Sequence, residues 1–180
     1  MGQKTLAGQA SKVVSFLQQV SKKLKCINIK IYLQLFDRMV LPILLYGSDI
    51  WGFETYDCIE NIQIKFCKYI LKLPSSTPNV AVLGECGRYP IKVYSALHFL
   101  KYWCKLIQME SSRLPKGCYK MIFKLDQMGR KTWATKVKEL LFHTGFGFVW
   151  ISQDVGDISE FIRVAKINGH CIPRVAFANE

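Results

Sequence analysis

Acidic residues are scarce in this chain, and nowhere do two aspartates adjoin. Two-metal phosphoryl chemistry draws carboxylates together on a pair of cations, usually from adjacent or tightly placed aspartates, so that chemistry has no visible frame here. Asp154, Asp157 and Glu160 are close in sequence, but acidic residues in a first helical turn are accounted for by the helix dipole. No C-x-x-C pair occurs among the seven cysteines. Only His170 and Cys171 adjoin, so zinc-ligand spacing is missing, and an odd, scattered set reads as reduced thiols packed as small apolar groups in an intracellular protein. No G-x-S-x-G frame surrounds a serine and no G-x-x-x-x-G-K-[ST] loop is present, which removes the common sequence signatures of a serine hydrolase and a P-loop.

Long apolar runs are lacking too. The most apolar stretch, "VLPILLYGSDIWG" (Val40–Gly52), is flanked by Asp37 and Arg38, interrupted by Pro42 and followed by Asp49, well short of the roughly 18 residues a bilayer span needs. The opening "MGQKTL" places Leu6 where an N-myristoylation signal requires Ser or Thr, and polar residues break each early apolar segment, so neither a lipid anchor nor a secretory signal is expected. No fixed period and no low-complexity tract indicate repeats or linkers.

What is abundant is positive charge. Against 13 Asp and Glu stand 25 Lys and Arg, a formal net charge of +12 over 180 residues. Such a chain repels itself and attracts polyanions. The cations run from Lys4 to Arg174 rather than forming one dense block, which favours nucleic acid over an anionic membrane as partner.

The apolar periodicity is helical throughout. Val13, Phe16, Leu17, Val20 and Leu24 predict a helix over 11–25, with Lys22, Lys23 and Lys25 in its last turn. A second helix is expected from Asn28, kinked or restarted at Pro42. Asp57 caps a third, with Ile59, Ile62, Phe66 and Ile70 inward and Lys65, Lys68 and Lys72 outward, ending near Leu73 before Pro74. Thr77-Pro78-Asn79 opens a short helix closed by Gly84, Gly87 and Pro90. Over 91–109, Leu97, Leu100, Cys104 and Ile107 face a core while His98, Lys101, Lys105 and Gln108 form a polar row. Beyond Pro115, Lys116, Lys120 and Lys124 recur over a core side of Cys118, Ile122 and Leu125 until Gly129. Thr132 caps a helix carrying Trp133, Val137, Leu140 and Leu141, and a last helix is expected from Asp154 through Val155, Ile158, Ile162 and Ala165. The fold expected is all-α, an irregular bundle of about six to eight helices, each of about 10 to 18 residues.

Candidate contact residues follow from these rows. "GECGRYP" holds two glycines whose backbone amides could cradle a phosphate gripped by Arg88, or it is a plain turn between two helices. Aromatic and basic residues interleave in "GRYPIKVY", "KYWCKL" and "CYKMIFKL", so Lys92 joins the candidates; the rings either stack on bases or pack in the core.

Five segments in order carry a family likeness: "LFDRMVLPILLYGSDIWG", "FCKYILKLPSSTPNVAVLGECGRYPI", "KYWCKLI", "RLPKGCYKMI" and "GFGFVW". Together they resemble the region that follows the polymerase palm in LINE-type, non-long-terminal-repeat retrotransposon endonuclease–reverse transcriptases. Pro42, Tyr46, Gly47 and Trp51 match one block of the family's pattern, and Lys68, Pro78, Asn79, Gly84, Glu85, Gly87, Arg88 and Pro90 match the next. Cys86 stands where the family usually has leucine.

The resemblance implies a thumb-like helical domain over 1–130 with a C-terminal helical extension over 131–180, serving to hold RNA template or an RNA/DNA duplex. The endonuclease and the palm with its Y-x-D-D carboxylates have no counterpart in the sequence, so neither catalytic residues nor a cofactor or metal is expected. The charge spacing and the resemblance together make the expected nucleic-acid contacts Lys65, Lys68, Lys72, Arg88, Lys92, Lys101, Lys105, Lys116, Lys120 and Lys124, and the protein is expected in the nucleus or cytoplasm. Two alternatives stand beside this. One is a module that docks on a polymerase-like protein through an apolar patch over Val40–Phe53; the other is a relic without function.

Overall fold

The computed structural model describes residues 2–24, 28–54 and 56–167. Every regular element among them is helical: α1 (Gln3–Leu24), α2 (Ile29–Leu35), a π-helical turn (Phe36–Val40), α3 (Leu41–Leu44), α4 (Ser48–Trp51), α5 (Asp57–Ile70), α6 (Asn79–Glu85), α7 (Ile91–Gln108), α8 (Leu114–Gln127), α9 (Trp133–His143), α10 (Gly147–Ser152) and α11 (Ile158–Ile167). Eight α-helices have seven residues or more, and no strand occurs among the described residues, so the protein is an all-α, irregular helical bundle. No described helix is long and apolar enough to cross a membrane.

The described chain forms two compact units. Unit 1 holds residues up to 46 and 56–91; unit 2 holds 47–54 and 92–167. α8 and α9, on either side of position 130/131, both belong to unit 2.

In unit 1, α1 packs against α5 and α3. Its buried line is Leu6, Ala10, Val14 and Leu17, one face of a helix that starts eight residues earlier than the larger side chains suggest. Phe16 points outward instead, 55 % exposed. Asn28 caps α2, its Oδ1 accepting from Lys30 N–H at 2.9 Å. The kink expected at Pro42 takes the form of the π turn just before it. A prolyl ring lacks the N–H that an α-helix would donate four residues back, and the widened turn absorbs that vacancy as Leu41 N–H donates to Phe36 O. Phe36, fully buried, lies 4.7 Å from the Phe66 ring. Burying one such side chain contributes roughly 2–3 kcal/mol.

Tyr56, not Asp57, occupies the cap position of α5, leaving Asp57 in the first turn beside the helix dipole's positive end. α5 ends at Ile70, and Lys72 sits beyond it with φ of 54°.

Unit 2 is organised by α7, whose Val93, Ala96, Leu97, Phe99, Leu100, Trp103, Cys104 and Leu106 are buried. Trp103, wholly enclosed, stacks on Trp150 with ring centroids 5.9 Å apart, and its Nε1–H donates to Tyr119 Oη at 2.9 Å. Tyr119 Oη donates in turn to Gln153 Oε1 at 2.6 Å. Burial pushes the Tyr119 phenol up to about 12 despite those bonds.

Tyr119 is therefore the inward residue of α8. Cys118, expected on the core side, is exposed, and Ile122 and Leu125 are half-buried. Among the other described cysteines, Cys67 and Cys104 are core residues, while Cys58 and Cys86 are half-buried.

Thr132 caps α9 as expected: its N–H donates to Thr135 Oγ1 at 2.9 Å, and that hydroxyl donates to Asp126 Oδ1 at 2.6 Å, tying α9 to α8. α10 is a short helix that the periodicity leaves unmarked. The last helix starts at Ile158 rather than near Asp154, because Asp157 Oδ1 accepts the N–H groups of Ser159 (2.6 Å) and Glu160 (3.1 Å).

Candidate nucleic-acid interface

The ten cations expected to touch phosphate divide by unit, and within each unit by what their head groups already hold. In unit 1, Lys65 is exposed on α5. Lys68 is half-buried, its Nζ donating to Ser75 O at 2.7 Å, and Lys72 is exposed in the turn after the helix. The expected row of three is thus broken: one ammonium secures the chain entering the 75–77 turn, and another has left the helix.

Arg88 turns inward. Its side chain is only 6 % exposed; it pairs with Asp37, and its guanidinium carbon lies 5.0 Å from the Phe36 ring centroid. The backbone around it is equally committed. Gly87, at φ of 61°, ends α6 with its N–H donating to Gly84 O at 3.0 Å while Arg88 N–H donates to Leu83 O at 2.9 Å, the two bonds of a Schellman cap. Gln63, buried in α5, donates Nε2–H to Tyr89 O at 2.8 Å, and Glu60 accepts from Ile91 N–H at 3.0 Å. Hydrogen bonds that would face a phosphate are spent on helix-ending carbonyls, so "GECGRYP" is a pinned turn.

In unit 2 the α7 row stands as expected. His98, Lys101, Lys105 and Gln108 are all exposed. Lys92 is half-buried. On α8 the row splits: Lys116 Nζ donates to Ile107 O at the C-terminal end of α7, and burial, then repulsion from Lys120, holds its pKa below the usual lysine value. Lys120 is exposed and touches Ser111 Oγ at 3.1 Å; Lys124 is exposed. None of Lys65, Lys72, Lys101, Lys105, Lys120 and Lys124 forms an ion pair with a described residue. Ion pairs in unit 2 include Lys136–Glu139, Lys138–Asp126 and Arg163–Glu160. Arg113, at the cap position of α8, and Arg130, just past its end, are exposed as well. Row spacing overlooked both because they lie outside the helix.

The interleaved aromatic residues are packing groups. Trp103 and Tyr119 are buried, and Tyr89, Tyr94, Tyr102 and Phe123 are half-buried. The exposed rings are elsewhere: Phe16 and Tyr46 in unit 1, Phe142 and Phe148 in unit 2. Within Val40–Phe53, Val40, Leu44 and Leu45 are buried, while Tyr46 (67 %) and Ile50 (59 %) are exposed.

His98 lines the α7 row without adding charge to it at neutral pH. Its Nδ1 lies 3.2 Å from the Oγ of Ser48, which is fully buried, and partial burial of the otherwise exposed ring holds the imidazole below its ordinary 6.5; Asp49 opposes the shift, and Lys101 and Lys105 add to it. A base whose folded pKa is depressed supports folding above the unfolded value near 6.5 and loses that support as the pH falls through the folded value. An imidazole NMR titration is expected to place the His98 midpoint below 6.5, and His98→Gln is expected to flatten the fall in thermal stability on that acid side. A midpoint at or above 6.5 contradicts the placement.

No three of the described His, Cys, Asp and Glu residues are grouped as a metal site. No protein-family model, curated protein or solved structure matches the chain.

Proposed function

We propose that this protein binds RNA and DNA through the outward lysines of its helical units, without catalysis, as a module related to the thumb and post-thumb region of LINE-type reverse transcriptases. One observation carries the reading: Lys101, Lys105, Lys120 and Lys124 are exposed on two helices of one unit, and none is neutralised by a described carboxylate. Those ammonium groups, without carboxylate partners, suit a chain of phosphates, which releases counterions on contact. The likeness of the five sequence segments points to the same partner class, and Lys65 and Lys72 offer unit 1 a smaller cationic face.

Filter binding of labelled single-stranded RNA and duplex DNA over a range of salt concentrations tests it. Retention is expected at low salt and is expected to fall steeply as salt rises. Failure to retain either nucleic acid at low salt overturns the proposal.

A further inference from the structure

Phosphate binding gives no use to the apolar surface beside those lysines. α8 exposes Leu114 (80 %), Cys118 and Met121 (68 %), its C-cap Met128 is 75 % exposed, and half-buried Leu125 completes their line. The steps are four, three, four and three residues, the spacing with which one helix offers a seam to another. Next to the seam runs a groove of about 430 Å³ between α7 and α8, walled by Ile50, Tyr102, Leu106 and Ile122 and sharing Leu114 and Cys118 with the seam. Cations border this surface on both sides. At about 100° per residue, Lys101 and Lys105 follow Tyr102 around α7 away from the groove, and Lys120 and Lys124 follow Met121 around α8 away from the seam.

We propose that the seam and groove of α8 and α7 are the docking site for an amphipathic helix of another protein, with apolar residues in the groove and Glu or Asp along its flanks facing the bordering lysines. The mode is helix-in-groove recognition. Charge chooses the partner: a second copy of α8 would set Lys120 and Lys124 against themselves in a chain of formal net charge +12, whereas an acidic flank meets four unpaired ammonium groups. α8 has 14 residues, so it is about 21 Å long and matches a partner helix of about four turns. The proposal shares those four lysines with nucleic-acid binding and is told apart from it by Leu114 and Met121, which phosphates do not use.

The probe is a fluorescein-labelled synthetic peptide of about 16 residues, with leucine at the seam positions and glutamate on the flanks; its scrambled sequence is the control. Anisotropy is expected to show micromolar binding, at least about tenfold weaker for the scrambled peptide and for Leu114→Glu and Met121→Glu. Both variants replace exposed side chains, and unchanged circular dichroism and melting confirm that they fold. Bound peptide is also expected to slow alkylation of Cys118, read by peptide mass spectrometry. Equal binding of ordered and scrambled peptides overturns the proposal, reducing the surface to unspecific attraction. Concentration-dependent dimerisation abolished by Met121→Glu overturns it in favour of a second copy. A loss of RNA binding in the uncharged variants Leu114→Ser and Met121→Ser equal to their loss of peptide binding overturns it in favour of nucleic acid on the seam.

Discussion

Gly52→Ala is expected to unfold unit 2 or leave it barely stable. Gly52 ends α4 with ordinary helical dihedrals, so backbone freedom is not the reason for glycine there. The reason is contact. A methyl group at this position would be driven into the backbone of Ser95 on α7 and the carbonyl of Ser48 on its own helix, and neither is a flexible side-chain end that could swing away.

The Gly52 N–H already donates to Ser48 O at 2.7 Å, which fixes the turn, and Ser48 is completely enclosed. Extra methyl groups in packed cores cost about 1–3 kcal/mol where side chains yield, so a clash with two backbones is expected to cost at least about 3 kcal/mol. That is a large part of the 5–15 kcal/mol typical of a domain. Urea unfolding followed by tryptophan fluorescence, which Trp103 and Trp150 report from inside unit 2, measures it. A midpoint within error of the parent would show that α4 does not sit on α7 in this way.

The second large effect concerns binding. Replacing Lys101, Lys105, Lys120 and Lys124 together by Gln is expected to weaken single-stranded RNA binding on the order of 10²–10³-fold near 0.1 M salt, from the counterion contribution of four phosphate contacts. Stability should hardly change, since these ammonium groups contribute to no ion pair among the described residues and surface charges are worth little to folding. Lys68→Gln and Lys116→Gln are expected to do the reverse. Their ammonium groups hold Ser75 O and Ile107 O, so each change should cost about 1 kcal/mol of stability and little affinity. A measurement in which all six lysines weaken binding alike would remove the distinction between exposed and engaged cations.

The helices themselves were legible where large apolar residues recur every three or four positions. α7 is the clearest case: Leu97, Leu100 and Cys104 are buried and His98, Lys101, Lys105 and Gln108 are exposed, as the spacing predicts, with Ile107 half-buried at the end of the row. α1 was legible as a helix but not in its orientation. Ala7 and Ala10 pack in the core as fully as leucine does, while the larger Phe16 is left outside. Counting bulk missed small residues that allow close helix contact.

The candidate site was legible only in part, for a related reason. Spacing tells which side of a helix a lysine leaves from, but not what its flexible arm meets. Lys116 folds back to the end of α7, Lys68 to the next turn, and Arg88 inward to Asp37 beneath a glycine-ended helix. Those partners are carbonyls and a carboxylate from other elements, which no local pattern contains. The exposed seam on α8 was hidden by the same limit, because Cys118 and Leu125 look like core residues until Tyr119 is seen to hold the inward position.

The most direct measurement is the salt dependence of single-stranded RNA affinity in the parent and in the four-lysine variant. Single strands give a log–log slope of about −0.7 for each phosphate neutralised, so the variant's slope is expected to be shallower than the parent's by about 3. Parallel lines for the two proteins would contradict the claim that these four lysines contact phosphate.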